Sequence, residues 1–386
     1  MKNILILCGL GVGVVLSALA PMPAHAEDDV HFYVGAYTTR LGHVDGKAAG
    51  ITLWTVNIKT GELKQTGGPW DIANASHLCL GKDKRFLYSI SEITEYKGKR
   101  DGYLTQFSID EETLMLTDLG TVSSNGPGPA YLSTDQTGKY LLLANYVNGN
   151  IIVYPIQKDG MLGEATANEM HEGSSVNPGR QEGPHPHALL ASPDNKFVYS
   201  PDLGIDKIKT YAFDDTTGTL TPRPDLDVTT PPGSGPRHFE FHPSGRYAYV
   251  TLELSSQVAA YTYDNGALKQ IGIYDMLPDD FKGESSSAEI RVSPNGRFVY
   301  ASNRGHNSIT AFAIDQNSGE LERIQIISTE GEIPRNFALD PSGAVLVAGN
   351  QNSHTMISYT VHPETGILTA TGHKAEALSP VLFRFY

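Results

Sequence analysis

GRFVYASNR, residues 296–304, carries an aromatic residue in third place, apolar residues through its middle and a charged residue at its end. The same frame returns as KRFLYSISE (84–92), GKYLLLANY (138–146), NKFVYSPDL (195–203), GRYAYVTLE (245–253) and GAVLVAGNQ (343–351). A weaker copy, VHFYVGAY (30–37), opens the series. Taking the third residue as an anchor gives Phe86, Tyr140, Phe197, Tyr247, Phe298 and Val345, with His31 at the matching place, at intervals of 47 to 57 residues. Self-similarity at that period is the signature of propeller blades of four short strands each. Seven copies predict seven blades.

Each unit has the same internal grammar. A first strand such as HFEFH or EIRVS runs into a tight turn, HPSG or SPNG. The anchor strand follows, then a polar connection and a third strand such as SITAFAID. A turn with a Gly-Glu/Thr-Leu signature (NSGEL, TTGTL, KTGEL) leads to the fourth. The chain starts inside a unit, so the C-terminal SPVLFRFY (379–386) is expected to supply the missing first strand and close the ring, which removes sheet edges. The expected fold is all-β: one seven-bladed β-propeller of four-stranded antiparallel blades over residues 27–386. A β-helix needs shorter repeats, and tandem sandwiches need linkers that the sequence lacks.

Ahead of the repeat stands MKNILILCGLGVGVVLSALAPMPAHA, with Lys2, an apolar run and a closing Ala24-His25-Ala26. This reads as a signal peptide over residues 1–26, cut after Ala26, and predicts a periplasmic or secreted protein with no membrane insertion once the leader is gone. Cys8 leaves with the leader and only Cys79 stays, which excludes an intrachain disulfide and a cysteine-rich metal site. The net charge of −14 argues against nucleic acid or an anionic membrane as partner. Any anionic ligand has to be held by a local cluster of arginines. A monomer is expected.

In an up-and-down blade the start of strand one and the connection from strand two to strand three share one face of the ring. Ten residues before the anchors stand Ser76, Ala130, His187, Arg237, Ala288 and Arg335; six residues after them stand Tyr37, Glu92, Tyr146, Leu203, Glu253, Arg304 and Gln351. A histidine, three arginines and two glutamates occupy positions where strands ordinarily place β-branched or small residues. Titratable groups converging at the mouth of a closed ring make this the candidate site. His242, in the turn before Pro243, falls on the opposite face and reads as structural, as does mid-strand Glu240. His238 follows Arg237, so it is expected to point to the other side of the strand or to its rim, where it could orient Arg237 or Glu253. His77 reads as a cap or rim residue. The polar loop HEGSSVNPGRQEGPHP (171–186) is long for a compact repeat, and its Arg180 could close over the mouth. Two other readings of these residues stand beside the catalytic one. Arg237, Glu253 and Arg304 could be a structural ion network plugging the channel, and His185, His187 and Glu253 could ligate a metal.

The segments RQEGPHPHALLASPD, GSGPRHFEFHPSG, LELSSQV, ASNRGHNSI and IPRNFALDPSG followed by AGNQNSH resemble those of the seven-bladed propeller lactonases, the group that includes the bacterial propeller 6-phosphogluconolactonases and the fungal carboxymuconate lactonizing enzyme. The resemblance covers residues 30–386. It implies a hydrolase of carbohydrate metabolism that opens a sugar-derived lactone, with His187, Arg237, Glu253 and Arg304 as the catalytic set. Glu253 or His187 is the expected base. Arg237 and Arg304 are expected to stabilise the oxyanion, and Arg335, His238, Tyr146, Glu92, Gln351 and Arg180 to bind substrate. No metal or other cofactor is expected. Lactonization of an unsaturated diacid and a non-catalytic binding platform are the alternatives. The leader separates this chain from a cytosolic sugar-phosphate enzyme, so the substrate does not follow from the resemblance.

Overall fold

The computed structural model describes residues 28–386, so the predicted leader lies outside the described residues. Seven antiparallel sheets of four principal strands follow one another along the chain. The fifth blade is typical: Pro236–Phe241, Tyr247–Leu252, Gln257–Asp264 and Ala267–Asp275 pair in order from the inside outward. The first blade takes its innermost strand from the other end of the chain. Pro380–Phe385 pairs with Asp29–Ala36, ahead of Ile51–Asn57 and Leu63–Trp70. The ring is closed by the C-terminal strand, as the repeat arithmetic requires. Leu203–Ile205, a 3₁₀ turn, is the one helical element among the described residues.

The anchor residues explain why the blades repeat as they do. Five anchor rings pack on the glycine of the following blade's third turn: Phe86 on Gly160, Tyr140 on Gly218, Phe197 on Gly266, Tyr247 on Gly319 and Phe298 on Gly366. A Cβ at these glycines would approach within 2.2–2.5 Å of the ring, and each has a positive φ, so the Gly of the turn signature is required twice over. Two residues after the anchor, a tyrosine hydroxyl donates to a carbonyl of that same neighbouring turn. Tyr33 reaches Leu114 O (2.7 Å), Tyr88 Gly160 O (2.9 Å), Tyr199 Gly266 O (2.8 Å), Tyr249 Gly319 O (3.1 Å) and Tyr300 Gly366 O (2.9 Å). A buried ring on a glycine, a satisfied tyrosine hydroxyl or both thus join each of the first six blades to the next. The core is accordingly divided into clusters that straddle neighbouring blades, such as Tyr249 and Val258 with Ile290 and Phe312.

His242 lies on the opposite face, as expected. Its ring engages Ser244 Oγ (2.7 Å) and the Gly296 carbonyl (2.7 Å) and holds the turn against the sixth blade. Glu240 pairs with Arg291 at 3.2 Å.

Deleting residues 380–386 removes buried Val381, Leu382 and Phe383, worth roughly 1.5–3 kcal/mol apiece in burial alone, and exposes the edge of Asp29–Ala36. The truncated protein is expected to melt many degrees lower or to aggregate. An unchanged melting temperature in a thermal scan would show that the ring does not depend on this closure.

Candidate active site

A β-bulge recurs at the inner end of the first strand in several blades. In Pro236–Phe241 the pairing jumps from Pro236 to Phe239; it jumps from Pro129 to Tyr131, from Ser287 to Ile290 and from Pro334 to Asn336 in three others. A bulge leaves residues out of the ladder and re-aims their side chains. Consecutive residues can then face the same channel, which strict alternation forbids. Arg237 and His238 both do so.

The result is two stacked cavities. The upper, a cup of about 320 Å³, is lined by Glu92, Tyr146, Arg180, His187, Glu253, Arg304 and Arg335, together with His43 and Ala130. The lower, about 10 Å³, lies between His77, His187, Arg237, His238, Arg335 and Asn336, with Ser76 among the rest of its wall. His187, Arg335 and Ala130 belong to both.

Glu253 organises the cup. Its carboxylate is paired with Arg180 (2.6 Å), Arg304 (2.8 Å) and Arg237 (2.9 Å). The Arg237 contact is an attraction of charges more than a hydrogen bond, since its Nε is close but poorly angled. Arg237 instead anchors through its terminal nitrogen to Ala288 O at 2.8 Å, and Arg304 likewise to Ser287 O at 2.8 Å. Arg180 is delivered by a pinned loop. Asp202 receives His171 Nδ1 (2.7 Å) and the His185 amide (2.7 Å), and Gln181 donates to Leu203 O (2.9 Å). Across the cup, Tyr37 donates to Glu92 (2.8 Å), and the Arg335 guanidinium lies 5.6 Å from the Tyr37 ring centre. Among the described residues Arg335 has no carboxylate within ion-pair distance, unlike Arg180, Arg237 and Arg304.

Burial by itself favours the neutral acid of Glu253, yet Arg304, Arg237 and Arg180 together hold its carboxyl well below the usual carboxylate range. A carboxylate so stabilised is a weak base. His187 is shifted well below the ordinary imidazole range, first by burial and then by repulsion from Arg237 and Arg335. It is neutral at pH 7 and retains a lone pair. Burial, with repulsion from Arg304 and Arg335, also pulls Arg237 down.

The expected residues divide into groups. His187, Glu253, Arg304, Arg335, Tyr146, Glu92 and Arg180 meet in one cup. Arg237 does not line it: the side chain is buried beneath Glu253, only 2% exposed, so it acts on the cup through that carboxylate. His238 departs from expectation because the bulge turns it into the channel, where Nδ1 meets Glu289 at 3.1 Å and not Arg237 or Glu253. His77 is no rim residue; it is buried in the lower cavity against the Tyr131 ring at 4.3 Å. Gln351 lines neither cavity, and its amide donates to Asn352 Oδ1 at 3.0 Å. The metal set does not assemble. His185 stacks on Tyr146 at 4.4 Å and directs its two nitrogens to Tyr146 O and Glu182, and among the described residues no group of three or more His, Cys, Asp and Glu is arranged to hold a metal ion. Sequence reasoning missed His43, which enters the cup from the hairpin of Arg40–Leu41 and Val44–Asp45, outside the repeat frame. It also missed Glu289 and Asn336, each one residue beyond a ligand-face position and legible only once the bulge is known.

The family model for the seven-bladed β-propeller lactonases matches residues 31–385. A 6-phosphogluconolactonase of Bacillus subtilis is 36% identical over 355 residues, covering 92% of this chain and 97% of that protein. A 6-phosphogluconolactonase of Formosa agariphila is 33% identical over 87% of this chain and 94% of its own length. The solved structure of a periplasmic gluconolactonase from Pseudomonas aeruginosa shares 34% identity and a TM-score of 0.85, covering 92% of this chain and 99% of that one.

Replacing Glu253 by Gln leaves Arg180, Arg237 and Arg304 without their shared counter-charge, and the loss of a buried pair of this kind costs roughly 3–5 kcal/mol. Because the folded-state pKa is depressed, this stabilisation is complete above the ordinary carboxylate range and disappears as pH falls through the lower folded value. Glu253→Gln is therefore expected to melt well below the wild type at pH 7, with the gap closing in strongly acidic buffer. Melting curves across pH that stay parallel would refute the assignment of charge.

Proposed function

The chain belongs to the seven-bladed β-propeller lactonase family, and we propose that it opens a sugar-derived lactone in the cup, after export, with no metal. The observation that carries this reading is the division of labour between His187, a neutral base on the cup wall, and Glu253, a carboxylate committed to three arginines.

In the proposed mechanism His187 removes a proton from water as the oxygen attacks the lactone carbonyl. The tetrahedral oxyanion forms within reach of Arg335 and Arg304, whose fixed positive charge lowers its energy. The intermediate collapses with cleavage of the ring C–O bond, and protonated His187 returns the proton to the departing alkoxide. The product is the open hydroxy acid, which ionises to a carboxylate. Four guanidiniums against the carboxylates of Glu253 and Glu92 leave the site positive inside an acidic protein. This favours substrates that carry or develop negative charge and draws them in. Glu253 keeps the arginines in place and does not itself take the proton. Export rests on the apolar leader over residues 1–26; the P. aeruginosa relative is described as periplasmic.

The test is a pH-stat assay of the mature protein with glucono-δ-lactone, 6-phosphogluconolactone and other aldonolactones, corrected for spontaneous hydrolysis, alongside an absorbance assay with a muconate. Turnover of a lactone that falls about 10²–10⁴-fold in His187→Gln is the expected result. Turnover of the muconate alone would move the chemistry to lactonization, and inactivity in both assays would overturn the enzymatic reading. Since the base has to be neutral and its pKa is depressed, kcat/KM is expected to stay flat through pH 6.5 and to fall only below it.

A further inference from the structure

The lower cavity gathers a set of buried polar atoms that the protein leaves unsatisfied. His77 Nε2, His187 Nδ1, His238 Nε2 and Ser76 Oγ have no hydrogen-bond partner among the described residues, and all four residues wall the same space of about 10 Å³. The His187 and His238 ring centres are 5.2 Å apart, and those of His77 and His238 6.4 Å. Four orphaned groups around one small void are costly unless something joins them, and the volume is at the roughly 10–15 Å³ that a single water needs.

The proton inventory fits a water. The Leu132 amide donates to His77 Nδ1 at 3.1 Å, so the neutral ring carries its hydrogen on Nε2 and donates into the cavity. Glu289 accepts from the Ile290 amide (3.0 Å) and from Asn336 Nδ2, and it is ion-paired with Arg291 (3.3 Å). It is therefore an acceptor toward His238 as well: His238 donates from Nδ1 and presents a lone pair on Nε2. His187, if its Nε2 is to take a proton in the cup, carries its hydrogen on Nδ1 and donates downward. Two donors, one acceptor and the adaptable Ser76 hydroxyl match the two lone pairs and two hydrogens of one molecule.

We propose that the lower cavity binds an ordered water that links His187 Nδ1 to His238 Nε2, and that His238 and Glu289 are positioning residues holding His187 in its base-competent tautomer. This rests on His187 being the base. The link behaves as the orienting carboxylate behind a catalytic imidazole does. As His187 gains positive charge, its Nδ1–H bond to the water strengthens, the water polarises His238, and His238 leans on Glu289. The charges that bear on His187 are Arg237, Arg335 and Glu253 around it, with His238 below and the Tyr146 ring at 5.3 Å.

A crystal structure of the wild-type protein that resolves internal water tests the site directly. Density for a water within hydrogen-bond distance of the three ring nitrogens supports it; an empty cavity or a metal ion there overturns it. In kinetics, His238→Phe is expected to lower kcat roughly 10- to 100-fold with KM within a few-fold, and to move the acid limb of kcat/KM to lower pH because imidazolium loses support. His238→Gln, which keeps an oxygen acceptor near the Nε2 position, is expected to recover part of that loss, and it carries the test should the phenylalanine variant fail to fold. An unchanged kcat and acid limb in both variants, with only a lower melting temperature, would overturn the relay. Full turnover in His187→Gln would instead overturn the function proposed above, so the two failures are distinguishable.

Discussion

The carboxylate of Glu253 is the constraint on which the candidate site depends. Arg180, Arg237 and Arg304 come from a loop, an inner strand and the end of a second strand, in three different parts of the sequence. Without a shared anion their guanidiniums repel one another in a medium of low polarity, where charge interactions are strongest. With it they form a cluster that is also tied to the backbone, Arg237 to Ala288 O and Arg304 to Ser287 O. The network reading and the catalytic reading of these residues are therefore not rivals: the ion cluster is a structural element, and it is also what gives the cup its charge.

A ring of identical blades on its own makes a channel lined by alternate residues. The bulges at the inner ends of Pro129–Thr134, Pro236–Phe241, Ser286–Val292 and Pro334–Leu339 change that, letting neighbouring residues face inward together. His238 and Asn336 thereby join His77, Arg237, His187 and Arg335 around the lower cavity, with Glu289 behind them on His238 Nδ1 and Asn336 Nδ2. The cup carries Arg180, Arg304 and Arg335 against Glu253 and Glu92; the lower cavity holds the imidazoles of His77 and His238. Bulges beside functional sites commonly serve to re-aim a side chain in this way.

The acid–base logic of the cup follows from burial and charge rather than from residue type. A glutamate and a histidine line the same cup. Three arginines hold Glu253 ionised, while burial keeps His187 neutral. Environments that push two titratable groups apart assign their roles.

What the sequence determined by itself was the ring: seven anchors at near-equal spacing, the turn glycines they pack on, and a C-terminal strand left over for the first blade. Those features are local and repeat, so periodicity exposes them. It also determined which residues share the ligand face, because strand order in a blade converts a fixed offset into a fixed face; His187, Glu253, Arg304, Arg335, Glu92 and Tyr146 were legible for that reason. Only the tertiary structure decided which of them line the cup. Arg237 lies under Glu253, Gln351 turns away, and His238 faces the channel, since depth and side-chain aim depend on bulges that shift register by a residue without changing the repeat; His77, just ahead of Leu78–Leu80, is buried there without one. His43 was invisible for a related reason: it sits in an inserted hairpin that belongs to no column, and only the closing of the ring brings it to the cup.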